Sequence, residues 1–247
     1  MLFAPSDLAC FVLVLARTSG AMAALPGIGE EGVPPRVRVA MAIALAVFLS
    51  PLVADSLAPR LAWPLPLSII TETAIGLVMG LLVRCAYATA VTVGAYIAAQ
   101  IGLSGALFFD PSLGGQSTAV TRLISVGATM ILLVAGFHHQ LLTAFAASYT
   151  IFDVNLAIGD VASYAVALVA GGMRLAAELS APFLIYGVVF NLALGLVNRL
   201  TPQIQLFFIA QPLNLLLGLA LLAATAGPLL IVFANRIAPL LALSGGR

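Results

Sequence analysis

One arrangement of residues in this chain could perform covalent chemistry. The tetrapeptide Gly102-Leu103-Ser104-Gly105 places a serine among small residues, and the chain has two histidines, His138 and His139. A serine hydroxyl attacks a carbonyl when a histidine base lies within hydrogen-bond reach of it. The elements that carry these residues must therefore bring Ser104 and one histidine together before any hydrolysis is possible.

The tetrapeptide resembles the G-x-S-G motif of rhomboid intramembrane proteases, but the resemblance is four residues long. His138 and His139 fall on the next predicted helix and lack the glycines that follow the rhomboid histidine. We interpret them as helix-end residues at a water boundary. Cys10 and Cys85 sit in apolar runs as buried thiols, without zinc-site spacing. Since paired carboxylates and phosphate loops are also missing from the sequence, we expect no enzymatic activity and no cofactor.

A polar stripe crosses one of the most apolar parts of the chain. Gly187, Asn191, Gly195 and Asn198 are spaced by four, four and three residues, which places them on one helix face. An unpaired buried amide costs about 1–3 kcal/mol, and amides are poor acids and bases. We therefore expect this face to meet other protein or a wet passage. The polar positions that follow are Arg199, Thr201, Pro202, Gln203, Gln211, Pro212 and Asn214.

A second group of small and polar residues surrounds Glu72. Gly76 and Gly80 form a G-x-x-x-G step one turn beyond it, which is typical of closely packed membrane helices. We predict a packing face, with an ion path through Glu72 and Arg84 as the alternative. Arg174 and Glu178 have the spacing of a helical ion pair.

Composition places the chain in the membrane. Of its 247 residues, 62% are hydrophobic and 8% charged, and the mean hydropathy is +1.17. Soluble domains carry about 25% charged residues, so we predict an integral membrane protein in the lipid bilayer. The net charge is +1 without a basic patch, which excludes a nucleic-acid partner of the usual kind.

The sequence predicts one all-α domain over residues 1–247, with about six hydrophobic helical segments. The third runs for about 43 residues, twice what a bilayer needs, so it folds back as a hairpin or forms one long, kinked helix. The first 23 residues contain Asp7 and Arg17, which favours a retained helix over a signal peptide. The predicted segments are Leu8–Leu25, Val37–Val53 (ending near Pro51), Leu67–Phe109, Leu123–Ala146, Ala165–Asn198 (kinked at Pro182) and Leu206–Phe233, with connections at Asp55–Pro66 and Tyr149–Ser163.

The order of the motifs resembles the FliR/SctT family of type III export-gate proteins, over about residues 8–235. The most specific block is Asn198-Arg199-Leu200-Thr201-Pro202-Gln203, and the next is Phe109-Asp110-Pro111. One departure is Gln205, where many relatives carry a smaller polar residue or asparagine. The other matching blocks are Gly32-Val33-Pro34-Pro35-Arg36-Val37-Arg38, Gln100-Ile101-Gly102-Leu103-Ser104 and Ala181-Pro182.

The resemblance implies a multi-pass subunit of the bacterial inner membrane and the flagellar basal body. Members assemble with FliP and FliQ into a tapering helical channel for unfolded flagellar proteins, and FlhB wraps the entrance. Their helices form long, tilted hairpins within that assembly. The near alternative is the SctT subunit of a virulence injectisome, and the alternative from another class is a small-solute secondary transporter.

The resemblance also implies a plug for the closed channel, in the loop after the third segment. Its glycines would let the loop move, and its phenylalanines would close the passage to ions; the alternative is an ordinary surface turn. The plug residues are Phe108, Phe109, Asp110, Pro111, Gly114 and Gly115. The predicted packing or channel-facing seam comprises Glu72, Gly76, Gly80, Gln100, Asn191, Gly195, Asn198, Arg199, Pro202 and Gln203.

Overall fold

The computed structural model describes residues 5–26, 33–61, 63–103, 119–151, 158–200 and 206–241. Long helices account for nearly all of these residues, which confirms the predicted all-α fold. The helices are α1 (Pro5–Ala24), α2 (Pro35–Leu61), α3 (Leu65–Gln100), α4 (Ala119–Val134), α5 (Phe137–Ile151), α6 (Ile158–Leu200) and α7 (Leu206–Leu241).

Five of the helices are long and apolar enough to cross a membrane by themselves, namely α1, α2, α3, α6 and α7. The pair α4 and α5 also passes this test when taken together, which makes up to six spans among the described residues. The chain is therefore a multi-pass membrane protein. Every backbone N–H and C=O in the bilayer core must be paired within the protein, and a helix pairs them within one segment.

Helix α2 does not end near Pro51 as predicted, and it continues to Leu61 through Pro51 and Pro59. Proline at position 51 cannot donate to the carbonyl of Val47, which the helix would otherwise pair. The hydroxyl of Ser50 donates to that carbonyl at 3.4 Å instead. Because the freed carbonyl has a new partner, the helix tolerates the proline, and most of the predicted connection Asp55–Pro66 is helical.

Helix α3 is one continuous helix of 36 residues, so the hairpin alternative for this stretch is wrong. The predicted single helix Leu123–Ala146 is also wrong, because α4 and α5 meet at an angle of 73°. The break lies at Gly136, whose φ of 77° favours glycine. The predicted connection Tyr149–Ser163 is shorter than expected, since α5 continues to Ile151 and α6 begins at Ile158.

The chain divides into two compact units. Unit 1 comprises Met1–Ala86, His138–Val169 and Leu241–Arg247, and unit 2 comprises Tyr87–Phe137 and Ala170–Leu240. In unit 1 the apolar core includes Leu13, Val14, Ala46, Leu49, Val53 and Leu57. In unit 2 it includes Val93, Ile97, Ile101, Ala176, Phe183 and Leu222.

Candidate functional site

Close packing between α1 and α3 builds the first polar cluster, in unit 1. A Cβ atom on Gly76 would collide with the carbonyl oxygen of Arg17, and one on Gly80 would lie 2.6 Å from that of Ala21. Gly20 faces the backbone of α3 in the same way. The glycines therefore let the two backbones touch, as small residues do between membrane helices.

This approach brings Glu72, one turn before Gly76, against Arg17. The Nε atom of Arg17 donates to Oε2 of Glu72 at 2.5 Å, and both side chains are 0% exposed. From α2, Nη1 of Arg60 donates to Oε1 of the same carboxylate. One carboxylate thus pairs with two guanidinium groups inside a membrane protein, and this trio ties three helices together.

Helix α5 joins the same cluster through two adjacent residues. Nη1 of Arg17 donates to Oγ of Ser148 at 2.9 Å, and the Ser148 hydroxyl donates to the carbonyl of Phe145 at 2.6 Å. The Cζ atom of Arg17 lies 3.8 Å from the centroid of the Tyr149 ring, which is a cation–π contact. We call Arg17, Arg60, Glu72, Ser148 and Tyr149 the ion cluster. Since its members come from α1, α2, α3 and α5, the cluster fixes how these helices pack.

Glu72 and Arg84, which the alternative of an ion path joined, have different surroundings. Arg84 is exposed on α3, whereas both carboxylate oxygens of Glu72 face the arginines of α1 and α2. Sequence reasoning missed Arg17 as a partner, although a guanidinium in the middle of an apolar run requires one. Among the described residues the Glu72 side chain is 0% exposed and held by two arginines, which favours the predicted packing role.

A second polar cluster lies in unit 2, where α3 ends. The last carbonyl groups of a helix have no partner inside it. Nδ2 of Asn214 donates to the carbonyl of Gln100 at 3.2 Å, and Nε2 of Gln211 donates to that of Gly102 at 3.0 Å. Gly102 has a φ of 82°, which closes the helix end. The amides of α7 therefore cap α3.

Tyr186 of α6 completes this amide cap. Its hydroxyl lies 2.7 Å from Oδ1 of Asn214 and donates to this oxygen. Gly187 packs against Gln100, because a Cβ atom there would collide with Oε1 of the glutamine. We call Gln100, Gly102, Tyr186, Gln211 and Asn214 the amide cap. Sequence reasoning found its amides and missed Tyr186, which nothing in the spacing singled out.

The last turns of α6 differ from both clusters. Asn191 donates from Nδ2 to the carbonyl of Gly187 at 2.8 Å, a bond within its own helix. Nothing lies within 4 Å of a Cβ atom on Gly195. Asn198 and Arg199 are exposed, and Leu200 is 80% exposed. We call Asn191–Leu200 the open end of α6, because the described part of the chain leaves nearly all of it uncovered.

An exposed ion pair lies on the same helix. Nε of Arg174 donates to Oε1 of Glu178 at 3.0 Å, as the four-residue spacing predicts. Their side chains are 84% and 46% exposed. An exposed helical pair of this kind adds only about 0.3–0.5 kcal/mol in water.

Several predicted residues lie outside the described residues. These are Ser104, the six plug residues from Phe108 to Gly115, and Pro202 and Gln203 of the seam. His138 and His139 are described, exposed on α5, with ring centroids 4.1 Å apart. In the described ranges no three histidine, cysteine or acidic side chains gather as a metal site would require. The two polar clusters hold helices of this chain in contact with one another.

Comparison with known proteins agrees with the motifs. The family "Bacterial export proteins, family 1" matches residues 8–240. The flagellar biosynthetic protein FliR of Caulobacter vibrioides is 37% identical over 233 residues, or 93% of each chain. FliR of Bacillus subtilis is 28% identical over 91% of this chain and 89% of its own, and FliR of Escherichia coli is 26% identical over 90% and 86%. The chain belongs to family 1 of the bacterial export proteins, among relatives of the flagellar biosynthetic protein FliR.

Proposed function

We propose that the chain is a structural subunit of the flagellar type III export gate in the bacterial inner membrane. In this proposal it assembles with FliP-like and FliQ-like subunits around the passage for unfolded flagellar proteins, and an FlhB-like protein binds at the entrance. In this proposal the chain contributes helices that pack against the other subunits and helps to form the wall of the passage. The family relationship supports the flagellar role, since the FliR relatives are named for flagellar biosynthesis.

The observation that carries the proposal is the exposed apolar surface that runs along α6. Its 43 residues extend about 65 Å, whereas the hydrocarbon core of a bilayer is about 30 Å thick. Exposed apolar side chains occur near its start at Val166, in its middle at Ile185 and near its end at Leu196, each 65–70% exposed. Wherever the bilayer lies, part of this apolar surface falls outside it and needs a protein cover.

The open end of α6 supports the same conclusion from its chemistry. Leu192 and Leu196 are both 65% exposed, and Asn191 and Asn198 are exposed beside them. In lipid the leucines are favourable, but the polar groups of Asn198 and the amide groups of Asn191 beyond its bond to Gly187 lack partners. In water the amides are favourable, but the leucines are not. A packed subunit interface suits both, because amides form hydrogen bonds across neighbouring membrane helices.

Purification of the tagged protein from mild detergent tests this proposal. We expect FliP-like and FliQ-like proteins to co-purify in constant ratio, and we expect deletion of the gene to abolish flagellar filaments. Normal filaments after deletion, or a tagged protein that transports a small solute without these partners, would overturn the proposal. The variant Ser104→Ala should retain motility; its complete loss in an assembled complex would indicate catalysis.

A further inference from the structure

The exposed ion pair on α6 places two charged groups on a membrane helix, where a charge needs a polar partner. Arg174 and Glu178 lie in a candidate membrane span, Val161–Leu200, on a face that the described part of unit 2 leaves open. Ionisable residues in membrane helices ordinarily face other protein or a water-filled cavity. This face is therefore a place where another protein is expected.

The guanidinium is the more accessible of the two charged groups in this pair. Arg174 is 84% exposed and Glu178 is 46% exposed, so the guanidinium extends further from the helix than the carboxylate. Only Nε of Arg174 has a hydrogen-bond partner among the described residues, which leaves both Nη nitrogens available. Two parallel N–H groups of a guanidinium match the two oxygens of a carboxylate, a geometry that lysine cannot reproduce.

The residues around the pair are small and suit a helix as the partner. Ala177 is exposed and Ala181 half-buried, four residues apart, and both lie on the same face as Arg174 and Glu178. A small-x-x-x-small step lets a second helix approach the backbone closely. Met173, 59% exposed, lies beside this step and can adapt to a partner surface.

We propose that this face of α6 docks a membrane helix of another subunit that carries an aspartate or glutamate opposite Arg174. The inference rests on the proposed function, in which other membrane subunits surround the chain. The docking proposal adds a specific contact to that function. The carboxylate of the partner would accept hydrogen bonds from both Nη nitrogens of Arg174, and this pairing would set the register of the two helices.

A photo-activated cross-linker tests the proposal in cells. With benzoylphenylalanine at position 177, we expect a cross-link to a membrane helix of another subunit, with an acidic residue within one turn of the captured site. Arg174→Glu should reduce the yield of this product at least tenfold, and reversing the acidic residue of the partner to arginine should restore it. Arg174→Lys should recover only part of the yield, since lysine lacks the planar fork.

Arg84→Gln is the matched control, because it removes another exposed arginine on a membrane helix and should leave the yield within twofold. A product with a second copy of this chain, a product with lipid alone, or an unchanged yield in Arg174→Glu would each overturn the docking proposal. Co-purification of the gate subunits separates the two proposals. If they co-purify while position 177 captures no acidic helix, the docking proposal fails and the proposed function stands.

Discussion

Guanidinium and carboxylate groups meet in two regions of this chain, and their surroundings are opposite. In the ion cluster of unit 1, Arg17 and Glu72 are both 0% exposed and other helices enclose them. In unit 2, Arg174 and Glu178 are 84% and 46% exposed on a single helix. The first pair joins distant parts of the sequence, separated by 55 residues, and the second joins residues one turn apart.

This difference distinguishes contacts that hold the single chain together from contacts that are open to another protein. A buried ion pair holds its own helices in register, because removing one partner leaves a charge without water or a counter-ion. An exposed pair does little for its helix and remains available to another protein. We therefore expect substitutions in the ion cluster to affect folding of the single chain. Substitutions on α6 should affect assembly and leave folding nearly unchanged.

The largest effect is expected from Glu72→Gln. This variant removes the negative charge that Arg17 and Arg60 share, and breaking a buried ion pair costs about 3–5 kcal/mol of the free energy of unfolding. Unfolding in mild detergent, followed by helical circular dichroism, measures the loss. Replacing all three charges in Arg17→Met, Arg60→Met and Glu72→Leu should recover most of it, because the buried ion pairs are then removed whole and apolar side chains take their place. A single variant as stable as the wild type would contradict the ionic account.

Glycine substitutions are expected to have the next largest effect, and they compare the close packing at Gly76 with the open surface at Gly195. Gly76→Ala places a Cβ atom against the carbonyl of Arg17, and overpacking of this kind costs about 1–3 kcal/mol. Gly195→Ala has nothing within 4 Å and should stabilise the single chain by up to about 1 kcal/mol through helix propensity. Equal melting temperatures for the two variants in detergent would refute the close packing of α1 and α3.

The amide cap should give an intermediate effect. Asn214→Ala removes the donor to the carbonyl of Gln100 and the acceptor for Tyr186, and the unpaired groups cost about 1–3 kcal/mol. Tyr186→Phe removes one hydroxyl and should cost about 1 kcal/mol. Thermal unfolding of both variants in the same detergent provides the measurement. A larger loss for Tyr186→Phe than for Asn214→Ala would mean that the cap is assigned to the wrong residue.

The smallest effect on the single chain is expected from Glu178→Gln. The exposed helical pair contributes about 0.3–0.5 kcal/mol, so the melting temperature should change by little. It is also the direct control for Glu72→Gln, since both variants neutralise a carboxylate paired with arginine. A loss as large as that of Glu72→Gln would remove the distinction between the two regions.

Much of the fold could be predicted from the sequence, because apolar runs of this length form helices in a membrane whatever their neighbours are. The helix ends were less predictable. Pro51 looked like a terminus, but a serine one residue earlier supplies the missing hydrogen bond, and such local repair is not visible in hydropathy. Gly136, conversely, gave no strong signal among apolar residues although it breaks a span.

The polar sites were predictable in their residue types and not in their pairings. Glu72 and its glycines indicated packing, but Arg17 and Arg60 lie far from Glu72 in sequence and only the folded chain brings them together. The amides near the end of α6 indicated a polar face, and the subunit contact that we propose for them would form only in an assembled complex. For a contact between subunits, the sequence indicates the residue types, but the geometry is defined only in the complex.

Folding and assembly, measured together in one variant, show whether the open end of α6 is a contact surface. In Asn191→Leu with Asn198→Leu, two exposed amides of the open end become apolar without a change at either polar cluster. We predict a melting temperature within about 2 °C of the wild type, since surface substitutions change stability by less than about 0.5 kcal/mol. We also predict at least a tenfold loss of co-purified FliP-like and FliQ-like subunits. Full co-purification and normal motility in this variant would contradict the claim that the chain works through this surface.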